Sequence, residues 1–545
     1  MRIHLFLLLL ACLPLLAADP VFDVPALIGT PLNAKVVSSS EKDGIVTEEV
    51  TFHSEMDGEK SVEIFAFFCY PKGAKGLPAF VWNQAGLGKA STYFPELGAK
   101  RGYAALCIDY PLPGYRSTGN YPTDMELEDD PKASGIYHCA VALLKAVSYL
   151  QSRPEVDPQR IGMAGSSWGG FFTTLMASLD PRLKAASAMF GCGALELGNY
   201  WWDGAGNSAK VTPADRERWK ATLDPALRLP DSKTAMGWFS GTNDVFYWMP
   251  ALMQSYASTG GQKHLSLMPN WDHGLPPVLD DQVFGWLDVH LQGKPPFVKV
   301  TPLNVVEKRN RLYARWSFIP VPGRPVKSAE LALSCGEAGN WSARYWQPAP
   351  VRIDGTQCET ELPVTRMPYY IIGTVSDEQG YRYSTPLLRV SPDELLSPRT
   401  AHEILDYNGA IWGNFEESNL VIARAFAMRM PPLVNDAHDG VQAAKLPAGR
   451  TVLPPIYFTA GTPHRLTCWL KSPTPLKVTL KLTGRFDGAM VSQEKSVEVN
   501  THWMPMTMDF TPPQALSGSL ALEVIVSKDG EAMLDGVVFR PGLAL

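Results

Sequence analysis

Along residues 46–297, segments with the hydrophobic pattern of strands alternate with segments that have the pattern of helices. Short apolar runs, each bounded by turn residues, have the length and content of strands that are buried on both faces of a parallel sheet. These runs are 79–83, 104–108, 160–164, 185–189, 234–240 and 264–268. Helical patterns lie between them, and residues 134–152 carry apolar side chains at helical spacing before Pro154. This alternation predicts a doubly wound, mostly parallel α/β domain.

Different patterns flank this region. Ahead of it, residues 45–52 and 62–70 alternate like an antiparallel hairpin around a turn at 56–59. After Gly293-Lys-Pro-Pro296 the helical patterns stop, and short alternating strands with turn residues follow to the end of the chain. We therefore predict an α/β domain at 19–297, a small fibronectin-III-like β-sandwich at 298–394 and a second β-sandwich at 395–545.

The N-terminus has the pattern of an export signal. Arg2 is followed by an apolar stretch from Leu5 to Leu16 and by the small residues Ala17 and Ala18. This stretch is shorter than the roughly 20 apolar residues that cross a bilayer. We expect a signal peptide at 1–18, a secreted or periplasmic protein and no transmembrane span, with lipoprotein processing at Cys12 as the alternative.

Composition and net charge limit the classes of partner that the protein is expected to bind. Of the 545 residues, 45% are hydrophobic and 19% charged, and the formal net charge is −6. With this charge and no stripe of Lys and Arg, we expect no nucleic-acid partner.

Four cysteines lie in apolar runs, which predicts buried thiols at Cys69, Cys107, Cys139 and Cys192. Cys335 and Cys358 either pair across two β-strands or remain apart. No Cys/His cluster has metal-ligand spacing, and no cofactor is expected for catalysis.

One motif points to nucleophilic chemistry. Gly165-Ser166-Ser167-Trp168-Gly169 fits the pattern G-x-S-x-G and stands directly between an apolar strand and a helical stretch. A tight turn at this place strains the central residue and leaves no room for side chains at its flanks, which explains the glycines. Ser167 is therefore predicted to be a catalytic nucleophile.

A serine hydroxyl needs a base, and the base needs an acid to orient it. Asp244 follows the apolar run 234–240, and His273 follows the run 264–268. Both thus fall at carboxyl ends of strands, where α/β sheets place their active sites. Asp272 is the rival acid. Because this triad precedes residue 297, we expect a chain that ends there to keep activity on small esters.

The negative charge that develops on a reacting carbonyl oxygen needs N–H donors. The backbone of Trp168 is one predicted donor, and the turn at Gln84 and Ala85 is the other. Aromatic groups in 200–202 and 246–248 are predicted to form the walls of the pocket. Each of these rings either binds a sugar ring of the substrate or only packs within a lid. The predicted substrate-binding residues are Trp201, Trp202, Tyr247 and Trp248.

These motifs resemble a known group of enzymes. Residues 131–142, 154–157 and 161–170 are similar to the acetyl xylan esterase and dienelactone hydrolase-like branch of the α/β-hydrolases. Gly241–Phe246 and Pro269–His273 are also similar to the PhoPQ-activated pathogenicity-related proteins. The resemblance covers about residues 45–297 and implies the α/β-hydrolase fold, the triad Ser167, Asp244 and His273, and an esterase or deacetylase activity.

The last region resembles the jelly-roll carbohydrate-binding modules. Asn414-Phe415-Glu416 and Met533–Phe539 are similar to their opening and closing strands. This resemblance implies a structural calcium ion with Glu416 and Asp535 as ligands. Trp469 and Trp503 either bind sugar or belong to the core.

The sequence thus predicts a secreted carbohydrate esterase that removes acetyl or other small acyl groups from a polysaccharide through an acyl-enzyme. Its predicted partner is an acylated polysaccharide or oligosaccharide. A prolyl-oligopeptidase-like serine peptidase is the runner-up, and the lack of an N-terminal β-propeller pattern counts against it. An inactive glycan-binding protein is the third hypothesis, and the complete Ser–Asp–His set counts against that one.

Overall fold

The protein is described by a computed structural model. The structure describes residues 19, 21–121, 129–203, 211–274, 277–309, 311–335, 341, 344, 346–362, 368–391, 395, 431–438, 440–453, 456–457, 463–486, 489–511 and 519–541. The predicted signal peptide at 1–18 and Cys12 lie outside these residues. Within the described part of the chain, no helix is long and apolar enough to cross a membrane.

A large mixed sheet forms the centre of the first half of the chain. Its strands are β1 (Lys35–Lys42), β2 (Ile45–Asp57), β3 (Lys60–Pro71), β4 (Leu77–Asn83), β5 (Ala104–Ile108), β6 (Val156–Ser166), β7 (Leu183–Met189), β8 (Ala235–Gly241) and β9 (Lys263–Met268). They are hydrogen-bonded in the order β1-β2-β3-β5-β4-β6-β7-β8-β9. Strands β1 to β3 pair antiparallel, and β5 to β9 run parallel to β4. The chain changes direction across the sheet at β4, where α/β proteins form their active-site crevice.

Helices cover this sheet on both faces. They are α1 (Val24–Gly29), α2 (Tyr93–Lys100), α3 (Gly135–Ser152), α4 (Trp168–Leu179), α5 (Tyr200–Asp203), α6 (Pro213–Thr222), α7 (Met249–Ser258) and α8 (Pro277–Gln292). Ser134 caps α3 by accepting a hydrogen bond from the N–H of Ile136 at 3.2 Å. Helices α3 and α4 pack on one face and α2 and α8 on the other. The doubly wound, mostly parallel α/β domain predicted from the strand–helix order is therefore confirmed, as is the α/β-hydrolase fold that the family resemblance implied.

The apolar runs in the sequence correspond closely to the central strands. Strand β5 has the predicted bounds, and the side chains of β5 and β8 are buried along their whole length. The predicted hairpin is also present, and β2 alternates between buried and partly exposed residues because one of its faces is less covered. Cys69, Cys107, Cys139 and Cys192 are buried free thiols, as predicted.

Antiparallel sheets follow α8. One contains β10 (Lys299–Val300), β11 (Asn304–Lys308), β12 (Arg311–Ile319), β15 (Arg352–Asp354) and β16 (Gln357–Leu362). The other contains β13 (Val326–Cys335), β14 (Gln347–Pro350), β17 (Tyr369–Asp377), β18 (Arg382–Ser384) and β19 (Leu388–Val390). We call β10–β19 the middle β-region. Cys358 is a buried free thiol on β16, while Cys335 ends β13 in the other sheet, so the pairing of these two cysteines is not formed.

The last described strands are β20 (Leu433–Val434), β21 (Ala443–Val452), β22 (Ile456–Tyr457), β23 (His464–Lys471), β24 (Leu476–Phe486), β25 (Ala489–Val499), β26 (Met504–Phe510) and β27 (Ser519–Pro541). They pair antiparallel around β27 and enclose a separate hydrophobic core. Chain segments after α8 are therefore β-rich, as predicted, while the domain boundaries at 297/298 and 394/395 stay predictions.

The middle β-region shares its core with the α/β sheet. Phe297 packs against the rings of Tyr381 and Tyr383 at centroid distances of 5.8 and 5.7 Å. His264 on β9 contacts the Tyr383 ring at 5.5 Å, and the Arg324 guanidinium lies 4.8 Å from the Phe297 ring centroid. One hydrophobic cluster therefore continues from α8 and β9 into the middle β-region.

This shared core changes the expectation for a chain that ends at residue 297. Such a truncation exposes Phe297, His264 and the apolar face of α8, and each large apolar side chain returned to water costs roughly 1.5–3 kcal/mol. Several such losses approach the whole stability of a typical domain, which is about 5–15 kcal/mol. We expect the truncated chain to be insoluble or to melt far below the full chain in calorimetry. A soluble, active 1–297 fragment with the melting temperature of the full chain would contradict this.

Candidate active site

Ser167 lies in a strained turn between β6 and α4. Its backbone has φ of 59° and ψ of −123°, a conformation that costs energy for a residue with a side chain. The neighbouring chain is tightly packed: a Cβ on Gly169 would lie 2.1 Å from the Asn83 carbonyl oxygen, and one on Gly191 would lie 2.5 Å from the Ser167 carbonyl oxygen. The glycines thus allow the turn, and the turn presents the Ser167 hydroxyl above the sheet.

His273 lies beside this hydroxyl. Its Nε2 atom is 2.7 Å from Ser167 Oγ although 106 residues separate them in the chain. The imidazole is 14% exposed. The rings of Phe190 and Phe246 pack edge-on against it, each with a centroid distance of 4.6 Å. These contacts restrict the imidazole to the orientation in which Nε2 faces Ser167.

Asp244 contacts the other side of the imidazole. Its Oδ2 atom is 3.0 Å from His273 Nδ1. Its Oδ1 atom accepts hydrogen bonds from the backbone N–H groups of Phe246 at 2.8 Å and Tyr247 at 2.9 Å. The carboxylate is 2% exposed, so these N–H donors replace water around its charge. With Nδ1–H donated to Asp244, Nε2 of the neutral ring is free to accept the Ser167 proton.

Asp272, the rival acid, has a different environment. Its Oδ1 atom accepts a hydrogen bond from the N–H of Val245 at 3.0 Å, and its Oδ2 atom is buried without a hydrogen-bond partner among the described residues. Burial raises the pKa of Asp272 to about 8, and the nearby Asp244 carboxylate contributes to this rise. The side chain of Asp272 is therefore held as a neutral acid at pH 7, and the structure brings Asp244 to the imidazole instead.

The raised pKa of Asp272 makes stability depend on pH. In the unfolded chain this carboxyl group loses its proton near its ordinary pKa of 3.8, and in the folded chain at about 8. Between these values the folded state binds more protons, so the free energy of unfolding falls as pH rises and the loss is complete above the folded pKa. We expect Asp272→Asn to raise the melting temperature by several degrees at about pH 8.5 and to change it little at about pH 4. Equal shifts at the two pH values in thermal melts would contradict this origin.

The predicted oxyanion donors lie against the nucleophile turn. Trp168 is the first residue of α4, so its N–H has no acceptor within the helix. The end of β4 packs closely against the start of α4. The carbonyl oxygens of Asn83 and Gln84 leave no space there for a Cβ atom at Gly169. The Gln84 side chain donates to Ser91 Oγ at 3.0 Å, so its amide holds this turn. The donor roles of Trp168, Gln84 and Ala85 stay predictions.

Two of the four predicted substrate-binding aromatics belong to the core. Trp202 is 2% exposed and packs edge-on against the ring of Trp219 at 5.7 Å. Tyr247 is 1% exposed. Neither ring presents an open face on which a sugar can stack, which corrects the sequence prediction for these residues. In the short segments 200–202 and 246–248, neighbouring aromatic side chains point to different faces and differ in burial, and the sequence alone did not distinguish them.

Trp201 is less buried than these two residues, and its role in substrate binding stays a prediction. It is half-buried and lies 5.0 Å from the ring of Trp168 and 5.6 Å from that of Phe246. Trp248 is also half-buried, but its indole N–H donates to the Val245 carbonyl at 2.9 Å and its ring covers Gly198. Trp201 is therefore the better candidate for a substrate platform, and Trp248 supports the turn after Asp244.

The sequence patterns did not identify Phe190 or the two asparagines Asn243 and Asn270. Phe190 follows the carboxyl end of β7, with a φ of 34°, and its ring touches His273. Its place directly after a buried strand was the available signal, since Asp244 and His273 were found in that way. Asn243 and Asn270 are buried next to the acid and histidine, and their partners are distant in sequence, so no local pattern identifies them.

The predicted calcium ligands are described only in part. Glu416 lies outside the described residues. The Asp535 carboxylate is buried and accepts hydrogen bonds from the N–H groups of His438 and Gly536, both at 2.7 Å. Among the described residues, no group of three or more His, Cys, Asp or Glu side chains is arranged to hold a metal ion. These hydrogen bonds give Asp535 a structural role in joining two segments, and the calcium site stays a prediction.

Residues 66–223 match the dienelactone hydrolase family. The chain contains a domain of that family. The expected family resemblance is thereby confirmed, and the matched residues of this hydrolase domain include Ser167 and the turn after β4.

Individual relatives are more distant. The chain is 29% identical over 169 residues to the α/β hydrolase pydG of an Acremonium species, a match over 28% of this chain and 37% of the relative. The chain thus spans just over a third of the length of the curated relatives it matches. Acetyl xylan esterase from Paenibacillus sp. R4 is 21% identical with a TM-score of 0.43, covering 49% of this chain and 92% of that one. Acetyl xylan esterase 1 from Thermoanaerobacterium sp. JW/SL YS485 is 16% identical with a TM-score of 0.42, covering 48% and 90%.

Proposed function

We propose that this protein is a serine esterase with Ser167 as nucleophile, His273 as general base and Asp244 as the acid that orients it. The observation that carries the proposal is the continuous chain of contacts from Asp244 Oδ2 to His273 Nδ1 at 3.0 Å and from His273 Nε2 to Ser167 Oγ at 2.7 Å. Membership of residues 66–223 in a hydrolase family supports it. These groups suffice for acyl transfer to serine without a cofactor.

In the first half-reaction, the Ser167 oxygen attacks the carbonyl carbon of an ester while His273 Nε2 takes the hydroxyl proton. The imidazolium that forms is stabilised by the Asp244 carboxylate, whose charge is held by the Phe246 and Tyr247 N–H groups. The tetrahedral oxyanion is bound by the N–H of Trp168 and by the turn at Gln84 and Ala85. His273 then gives the proton to the alcohol, which leaves.

In the second half-reaction, a water molecule repeats the attack on the acyl-enzyme. His273 takes a proton from the water and returns it to Ser167 Oγ as the carboxylic acid is released. The packed rings of Phe190 and Phe246 keep the imidazole in place through both halves, since rotation would break its contact with either Ser167 or Asp244.

For the substrate, we propose an O-acylated polysaccharide or oligosaccharide from which acetate or another small acyl acid is released outside the cytoplasm. The predicted export signal and the β-rich C-terminal segments support this choice. Trp201 also supports it, because its indole is only partly buried and packs against Trp168, the residue that follows the nucleophile. Two of the structural neighbours are named acetyl xylan esterases, and this name refers to the same class of substrate. For this chain the substrate is a proposal.

The test is release of acetate from acetylated xylan, measured beside cleavage of proline-containing peptides with the same preparation. We expect acetate release by the wild type, none by Ser167→Ala and no peptide cleavage by either. Peptide cleavage without acetate release would overturn the proposed esterase activity in favour of the prolyl-oligopeptidase-like peptidase. No turnover of p-nitrophenyl acetate, together with retained binding to a glycan, would favour a non-catalytic glycan-binding protein.

A further inference from the structure

The loops that carry the proposed acid and base are bonded to the middle β-region. Asn243, directly before Asp244, donates its side-chain amide to the Arg344 carbonyl at 2.5 Å. Asn270, which precedes His273 by three residues, donates to the Trp346 carbonyl at 2.8 Å and accepts from the Trp346 N–H at 2.8 Å. Arg344 and Trp346 precede β14. In the sequence they lie 101 residues after Asn243 and 76 residues after Asn270, respectively.

These asparagines are buried where water cannot replace their bonds. Asn243 is 0% exposed, Asn270 is 8% exposed and Trp346 is 0% exposed. The Asn270 side-chain amide forms two hydrogen bonds with the backbone of Trp346, as a residue of a neighbouring β-strand would form with its own backbone. Asn270 also has a φ of 58°, a left-handed conformation that asparagine tolerates better than most residues.

Further bonds connect the two loops with each other. Thr242 Oγ1 donates to Asn243 Oδ1 at 2.7 Å and accepts from the Asn270 N–H at 3.0 Å. The N–H of Asn243 donates to the Trp271 carbonyl at 2.8 Å. A shift of either loop therefore changes the spacing between Asp244 and His273, and the middle β-region resists such a shift.

The edge of the sheet explains why an outside support is needed. Strand β9 is the last strand of the mixed sheet, so the chain that leads to His273 has a strand neighbour on one side only. On the open side, Ser384 Oγ on β18 accepts the Leu267 N–H at 3.0 Å and the Arg382 guanidinium donates to the Leu267 carbonyl at 3.1 Å. The middle β-region thus covers the edge that carries the base.

From these contacts we infer that Asn243 and Asn270 are positioning residues, through which the middle β-region sets the distance between Asp244 and His273. This inference rests on the triad in the proposed function. Neither asparagine has a catalytic role of its own, because both act through the loops they anchor. The β-region after α8 is accordingly part of the catalytic apparatus and not an accessory to it.

The test uses Asn243→Ala and Asn270→Ala in the full chain, with Tyr381→Phe as the matched control. Tyr381→Phe removes a hydrogen bond across the same interface, but one made to the Asp281 carboxylate on α8 rather than to β9 or to the acid or histidine loop. Active sites are counted with a fluorophosphonate, and kcat and KM for p-nitrophenyl acetate are given per counted site. We expect kcat to fall roughly 10- to 100-fold in both asparagine variants with little change in KM. Tyr381→Phe should lower the melting temperature and keep kcat per site.

A second measurement does not depend on ester turnover. The far-downfield proton resonance of a hydrogen-bonded His273 Nδ1–H should be present in the wild type, absent in Asp244→Asn, and lost or shifted in the asparagine variants. Where an alanine variant does not fold, Asn243→Ser or Asn270→Ser takes its place with the same expected result. Asparagine variants with unchanged kcat per site and an unchanged resonance would overturn the inference. A wild type that shows the resonance but hydrolyses no ester would instead overturn the proposed function.

Discussion

Ser167→Ala should abolish ester hydrolysis while the protein keeps its fold. The hydroxyl is bonded to His273 Nε2, and its removal leaves the strained backbone of the turn and the packing around Gly169 and Gly191 unchanged. Loss of the nucleophile costs on the order of 10⁴-fold or more in kcat in enzymes with a triad. Steady-state kinetics on p-nitrophenyl acetate, with circular dichroism to verify the fold, measures this effect.

Ser166→Ala is the matched control. Ser166 is the last residue of β6, directly before the turn, and its hydroxyl has no part in the contacts from Asp244 to Ser167. We expect nearly full activity from this variant. If Ser166→Ala were inactive and Ser167→Ala active, the assignment of the nucleophile would be wrong.

Asp244→Asn should reduce kcat about 10⁴-fold with little loss of stability. An asparagine at this position keeps an oxygen that accepts from Phe246 and Tyr247, so the turn after β8 persists. Its amide group, however, donates to His273 Nδ1 and favours the tautomer with a proton on Nε2, which cannot accept the Ser167 proton. Assays at several pH values measure the loss of the base.

Asp272→Asn distinguishes the two candidate acids. The Asp272 carboxyl group is neutral at pH 7 and bonded to the Val245 N–H, an interaction that asparagine retains. We expect turnover close to that of the wild type at pH 7. Full activity in Asp244→Asn combined with inactivity in Asp272→Asn would assign the acid to position 272.

Much of the fold was predictable because the central strands are buried on both faces. Such strands require continuous apolar runs, and the run 104–108 reappears as β5 with the same bounds. The proposed triad was predictable for a related reason. Each member lies three to five residues after the end of an apolar run, and the carboxyl ends of parallel strands meet at one edge of the sheet.

Orientation of neighbouring aromatics was not predictable. Trp201 and Trp202 are adjacent and chemically alike, yet Trp201 is half-buried near the nucleophile and Trp202 is in the core against Trp219. In a short helix such as α5, a rotation of about 100° per residue turns consecutive side chains to different faces. Which face is covered depends on the segments packed against it, and those come from elsewhere in the chain.

The sequence by itself determined the strand–helix order, the strained turn at Ser167 and the strand ends that carry Asp244 and His273, because these depend on local patterns of burial and turn residues. Only the tertiary structure decided that the middle β-region shares a core with the α/β sheet and anchors Asn243 and Asn270. Those anchors join a side-chain amide to backbone groups of distant residues. Backbone groups are the same in every residue, so the sequence carries no mark of the partner, and only folding brings the two together.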